Sequence, residues 1–156
     1  MMKKSRRVSK IISGGQSGVD RSALNFSIKH TIPHGGWCPK NRWAEDGPIP
    51  SLYNLKETNE ESPEHRTLKN ILSSDGSLII YKVIKDEGTL KTIKFCKQNN
   101  KTLFEIDISE KTEKEKFKSW LNSNNIKILN IAGPRESNSL GIYNKTTPLL
   151  EYLFLR

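Results

Sequence analysis

Cysteine and long apolar runs are what this sequence has least of. Cys38 and Cys96 are its only cysteines, and two thiols make neither a disulfide framework nor a paired CxxC metal ribbon. A reducing, cytoplasmic setting is therefore expected. No stretch approaches the ~18 apolar residues of a membrane span. The start, Met1 to Arg7, is charged, but no apolar segment follows it as a secretory signal requires. Apolar residues are 34% of the chain and aromatics 8%, lean for a globular protein yet above the disordered range. These absences argue against membrane, secreted and fibrous classes.

What is present is one domain's worth of chain, 156 residues with a net charge of +9. Lys3, Lys4, Arg6, Arg7 and Lys10 supply five of those charges. Residues 1–7 read as a basic arm, and residues 8–156 as a single domain. A short basic arm can touch a phosphate backbone, but a solvated terminus is the simpler reading, so nucleic acid is not expected as a partner. A homo-oligomer is left open.

Strand-like and helix-like runs alternate along the body. Strands are read at Val8–Ser13, Ile32–His34, Ser77–Val83, Thr102–Ile108 and Ile126–Ala132. Helical spacing runs from Val19 to His30, where Val19, Ala23 and Phe26 form one row. Ser62 and Pro63 are N-cap and first residue of a helix whose apolar face is Leu68, Ile71 and Leu72. Gly88–Asn99 follows with Thr89, Ile93 and Cys96 in one row. Thr112 and Glu115 fit a capping box. A last helix spans about Ser139–Phe154, with Pro148 forcing a kink or a restart at Thr147. This alternation predicts an α/β, Rossmann-like three-layer sandwich, a mostly parallel sheet of about five strands with helices on both faces. Ligands of such folds sit beyond the carboxyl ends of the strands.

Two loops concentrate the candidates for that position. Gly14, Gly15, Gln16, Ser17 and Gly18 link a strand to a helix that opens with Asp20 and Arg21. Glycines let backbone approach a ligand, and the helix start offers free N–H groups to an anion. A β-branched residue at Gly15 should therefore block the ligand. No Lys-Ser/Thr pair follows Gly18, so this is not a P-loop. Ser13 stands where a dinucleotide fingerprint has its first glycine, and no acidic residue ends the second strand; NAD is not expected. From Pro33 to Glu61 no helix or strand is evident, and so long an irregular segment is a lid or a binding loop. It carries Gly35, Gly36, Trp37, Lys40, Arg42 and Asp46 as ligand candidates. Trp37 and Trp43 either stack on a planar ring or anchor the loop on the core. His34 and Cys38, with Asp46 or His65, are the weak metal candidates, and no metal is expected. Asp20, Glu45 and Asp46 are the candidate acid–base groups.

Two later loops belong on the same edge. Gly88 and Thr89 open a helix, and Gly133 and Arg135 follow the last strand, with Arg135 placed to hold an anion bidentately. Several helix entries bearing Gly, Thr and Arg around one crevice make a phosphorylated small molecule the expected ligand.

Four segments carry a resemblance: Ile11–Arg21 (IISGGQSGVDR), Pro33–Lys40 (PHGGWCPK), Ala44–Pro50 (AEDGPIP) and Asn130–Arg135 (NIAGPR). Together they resemble the molybdenum (cofactor) carrier family, a circularly permuted branch of the lysine-decarboxylase-like, or SLOG, Rossmannoid group. The resemblance implies a pocket for molybdopterin, the molybdenum cofactor or a nucleotide. Related phosphoribohydrolases carry Pro-Gly-Gly-x-Gly-Thr-x-x-Glu, whose Gly-Thr matches Gly88-Thr89. Its earlier glycines fall on Lys85 and Asp86, and Thr92 replaces the catalytic Glu, which favours a carrier over a nucleoside monophosphate phosphoribohydrolase. Nothing argues for pyridoxal phosphate. DNA binding, known in the same superfamily, is the third reading.

Overall fold

The computed structural model describes residues 8–155; the arm at 1–7 lies outside them. Five parallel strands build the main sheet: β1 (Lys10–Ile12), β2 (His34–Gly35), β5 (Gly76–Tyr81), β6 (Leu103–Asp107) and β7 (Ile128–Ala132). Their order is β2-β1-β7-β5-β6. Every neighbouring pair is parallel, with Ile11 opposite Leu129 and Leu78 opposite both Ile131 and Phe104.

Helices cover both faces because alternate strand residues are apolar on both sides. Ile11, Leu78, Ile80, Ile106, Leu129 and Ile131 pack in one cluster with Val19, Ala23 and Phe26 of α1 (Val19–Lys29), Phe117 of α4 (Lys114–Ser123), and Leu149, Leu150 and Leu153 of α5 (Ile142–Leu155). On the other face, α2 (Pro63–Ser73) packs along α3 (Glu87–Gln98). That face is more polar at its centre. Asn130 Nδ2 donates to Ser77 Oγ at 3.0 Å, and both side chains are buried.

The structure departs from the sequence expectations in four places. The segment 33–61 is not structureless: β3 (Trp37–Cys38) pairs in parallel with β4 (Lys56–Glu57), and a short 3-10 turn covers Lys40–Arg42. Strands of two residues are too short to show alternation. The capping box at Thr112 does not form; α4 starts one residue later, with Glu113 as N-cap and no side-chain cap bond. Thr147 does not restart the last helix, because α5 runs through Pro148. Proline leaves the Asn144 carbonyl without its helical donor, but Asn144 and Pro148 both face solvent, where water can satisfy it. Finally, α2 buries Arg66, Asn70 and Ile71, whereas Leu72 is half exposed. The two polar side chains can enter the interior because each finds partners there.

β1 leads through α1 to β2 on one side of the sheet, and β5 leads through α3 to β6 on the other. The carboxyl ends of β1, β7 and β5 therefore surround the point where chain direction diverges, the usual place for a ligand crevice in open parallel sheets.

Candidate functional site

A cavity of about 510 Å³ lies at that point, lined among others by Gln16, Asp20, Arg66, Thr89, Gly133 and Arg135. Its volume falls in the range of small-molecule sites. The loops after β1, β5 and β7 each contribute to it, and α2 contributes Arg66. Four of its side chains are acidic (Asp20, Glu64, Asp86, Glu87) and three basic (Arg66, Lys91, Arg135).

Asp20 and Arg66 form the buried floor. Arg66 Nη1 donates to Asp20 Oδ2 at 3.2 Å, and the Gln16 amide points at the same oxygen from 3.4 Å. Both residues are under 10% exposed. Burial pushes the Asp20 carboxyl up to about 6, against the opposing pull of Arg66, the Gln16 amide and Ser13. A carboxyl that titrates there can hold or accept a proton near neutral pH. Gly14 gives Arg66 its room, since any side chain at Gly14 would collide with the guanidinium.

The start of α3 forms one wall. Asp86 is its N-cap, with Oδ1 accepting from the Thr89 amide at 2.9 Å and Oδ2 accepting from Asn138 Nδ2 at 2.7 Å. The Thr89 hydroxyl oxygen is buried and has no partner among the described residues. Thr92, at the position of the related hydrolases' glutamate, donates its hydroxyl to the Gly88 carbonyl at 3.0 Å. It completes the helix turn and carries no charge.

On the opposite wall Arg135 is 43% exposed at its side chain, with Nε 3.9 Å from Glu45 Oε1. That distance leaves the guanidinium available for a ligand anion. Glu45 itself is fully engaged. It accepts from the Ser17 hydroxyl and from the Ser137 hydroxyl and amide, while its own amide donates to Gln16 Oε1 at 2.9 Å. Burial raises the Glu45 carboxyl, but the Ser137 and Ser17 donors and Arg135 outweigh it and hold the group below the usual carboxylate range.

Asp46 is the next clasp. It accepts from Arg21 Nη1 and Nη2 at 3.0 and 3.1 Å, and Arg21 also donates to the Gly15 carbonyl through Nε and Nη2. Glu45 and Asp46 thus fasten the long segment to the first glycine loop. The segment has a small core of its own, in which Cys38, Ala44, Ile49, Tyr53 and Leu55 pack on Leu24 of α1. Arg42 donates to the carbonyls of Ile49, Pro50, Tyr53 and Leu55 and so ties its turns together.

The candidates from sequence therefore divide into three groups. Gln16, Asp20, Gly88, Thr89, Gly133 and Arg135 meet at the cavity. Ser17, Gly18, Arg21, Glu45 and Asp46 line a second, more open hollow of about 800 Å³ with Asn25, Tyr53 and Tyr143. The remainder lie in neither. A Cβ at Gly15 would sit 2.7 Å from Leu55 Cδ1 and 2.8 Å from Ile49 Cδ1, so this glycine faces the overlying segment and not the cavity. Gly35 packs under Lys10, and Gly36 leaves room for the Ser13 backbone. Trp37 is held by Asn70, which accepts from its amide at 2.8 Å and donates to its carbonyl at 3.0 Å; the Lys69 ammonium lies 4.2 Å from its ring centre. Trp43 and Lys40 are exposed.

The weak metal candidates are dispersed. His34 Nε2 accepts from the Asn54 amide at 3.1 Å, Cys38 lies in the small core, and His65 pairs with Glu60 at 2.8 Å. Among the described residues no three His, Cys, Asp or Glu side chains converge. Arg66 is the main residue that sequence reasoning missed. Its signal was Asn70 four positions on, a polar pair repeating at helical spacing outside the apolar row of Leu68, Ile71 and Leu72.

The pattern of the circularly permutated YpsA SLOG family matches residues 11–154. A crystal structure described as "Putative molybdenum carrier protein" from Syntrophus aciditrophicus SB is 45% identical, covers 96% of each chain and superimposes with a TM-score of 0.90. No curated protein matches. The parallel sheet, the loops gathered at its carboxyl edge and these likenesses agree: the chain belongs to the circularly permuted YpsA branch of the SLOG family.

Proposed function

We propose that this protein binds a phosphorylated small molecule, a nucleotide or the phosphate-bearing pterin of the molybdenum cofactor, in the 510 Å³ cavity and carries it without transforming it. The observation that carries the reading is the meeting of Arg135, Gly133, Gln16 and the start of α3 around one cavity. Arg135 supplies a planar, charge-assisted donor pair, and the α3 N-terminus supplies the positive end of a helix dipole. The relative of known structure bears a molybdenum carrier's name, which supports a cargo of that class. Neither cysteine lines the cavity, so a pterin would be held here by its phosphate and ring edges, with its own sulfurs left to the metal. Thr92 in place of a glutamate favours carriage over hydrolysis.

Calorimetric titration with molybdopterin and a panel of nucleoside monophosphates tests the reading. Binding of at least one phosphorylated ligand is expected; no heat from any of them contradicts it.

One observation favours a second reading, an N-glycosidic hydrolase acting on nucleoside monophosphates. Asp20 lies in the cavity with its carboxyl pushed up to about 6, suited to a general acid or base. Free base released from a nucleoside monophosphate, and lost in Asp20→Asn, would establish it.

A further inference from the structure

The start of α3, where the proposed ligand's anionic group would lie, is already faced by a carboxylate of the chain itself. Asp86 Oδ1 sits on the Thr89 amide at 2.9 Å, so a carboxylate occupies the first turn of α3 where an anionic ligand group would bind. The other oxygen of Asp86 is tied to Asn138 Nδ2 at 2.7 Å, and Asn138 stands three residues beyond Arg135 in the loop after β7. Asp86 therefore bridges the two walls that carry the cationic elements of the site.

A second observation marks this position as incomplete. Thr89 is 3% exposed, yet its hydroxyl oxygen has no hydrogen-bond partner among the described residues. A sealed hydroxyl without a partner is disfavoured in a finished interior. It is accounted for when the position serves an acceptor that arrives from outside. The group best matched to a hydroxyl, a helix-terminal amide and a nearby guanidinium is a phosphate.

We propose that Asp86 is a built-in competitor for the ligand's phosphate. A phosphate binds by displacing the Asp86 carboxylate from the Thr89 amide, which also opens the Thr89 hydroxyl and frees Asn138. This rests on the reading that the ligand is phosphorylated and adds to it which residue sets the affinity. Asp86 lowers affinity for phosphate esters, because its carboxylate must leave the Thr89 amide before a phosphate can take its place.

The test compares the wild type with Asp86→Asn, using AMP, adenosine and inorganic phosphate as probes in calorimetric titrations at low and high salt. Asparagine caps helices about as well as aspartate, so α3 keeps its start and only the charge is lost. Asp86→Ser, another good cap, is a second variant, and thermal unfolding checks that each is folded. AMP is expected to bind Asp86→Asn roughly five- to tenfold more tightly than wild type at low salt, a gap that narrows as salt screens the charge. Adenosine should bind both forms equally. If the wild type binds AMP and neither variant binds it more tightly, Asp86 is not a competitor, and only this proposal fails. It fails in the same way if adenosine gains as much as AMP. If no form binds AMP, inorganic phosphate or, in the same titration, molybdopterin, the phosphorylated-ligand reading itself falls and takes this proposal with it.

Discussion

Asp20 is a largely buried carboxyl at the floor of the cavity, and its raised titration links its proton to folding. Its titration is raised from 3.8 to about 6 in the folded protein. Between those values the unfolded chain has released the proton while the folded one retains it. The contribution of Asp20 to stability is thus fully present below about pH 4 and declines as pH rises through 6. Wild type measured against Asp20→Asn should lose about 2–3 kcal/mol of relative stability from pH 4 to pH 7, a shift of two pKa units at about 1.4 kcal/mol each. Urea unfolding at several pH values reads this directly, and a flat difference would mean that Arg66 keeps Asp20 ionised throughout. Arg135 has the opposite character: half exposed and 3.9 Å from Glu45, it has little structural duty. Arg135→Ala is expected to weaken a phosphorylated ligand by roughly 1.5–3 kcal/mol, the range for a hydrogen bond to a charged group. The dephosphorylated analogue should bind as before. Equal losses for both would show that Arg135 does not contact the phosphate.

Among the elements, the segment between β2 and α2 behaves least like its sequence. Gly15 holds φ +82 and lies beneath Ile49 and Leu55 of that segment. Gly15→Val should cost about 1–3 kcal/mol through backbone strain and the displaced side chains. Hydrogen exchange is expected to quicken at the Ile49 amide, which donates to the Arg42 carbonyl at 2.8 Å, before it quickens in the sheet. Unchanged exchange there would mean that the segment is not seated through Gly15. The regular elements were readable because each carries a period: Val19, Ala23 and Phe26 on α1, and Thr89, Ile93 and Cys96 on α3, are all buried as their spacing requires. The segment 33–61 has no period because its order comes from irregular contacts, some within it and some from distant parts of the chain. Arg42 binds four carbonyls, Asn70 holds Trp37, and Glu45 reaches Ser17 and Ser137. Sequence spacing carries no mark of such contacts. The same reason hid Arg66, whose partner Asp20 stands 46 positions away.

For the whole molecule, the sheet order β2-β1-β7-β5-β6 brings together chain segments that are more than a hundred residues apart, at Ser13 and Ile131, whose hydroxyl and carbonyl meet at 2.6 Å. Alternation of strands and helices was enough to foresee parallel pairing and the edge at which loops would gather. It did not foresee that the gathered candidates would separate into two hollows, with Glu45 and its serine donors lining the second. Everything proposed for function depends on a phosphorylated ligand entering the hollow between β1, β7 and α3. Backbone amide shifts in two-dimensional NMR, followed while AMP is titrated into the full chain, report where it binds. The largest shifts are expected at Gly88, Thr89, Gly133 and Arg135. Shifts centred on Arg21, Asn25, Tyr53 and Tyr143 would place the ligand in the other hollow and contradict the proposed site.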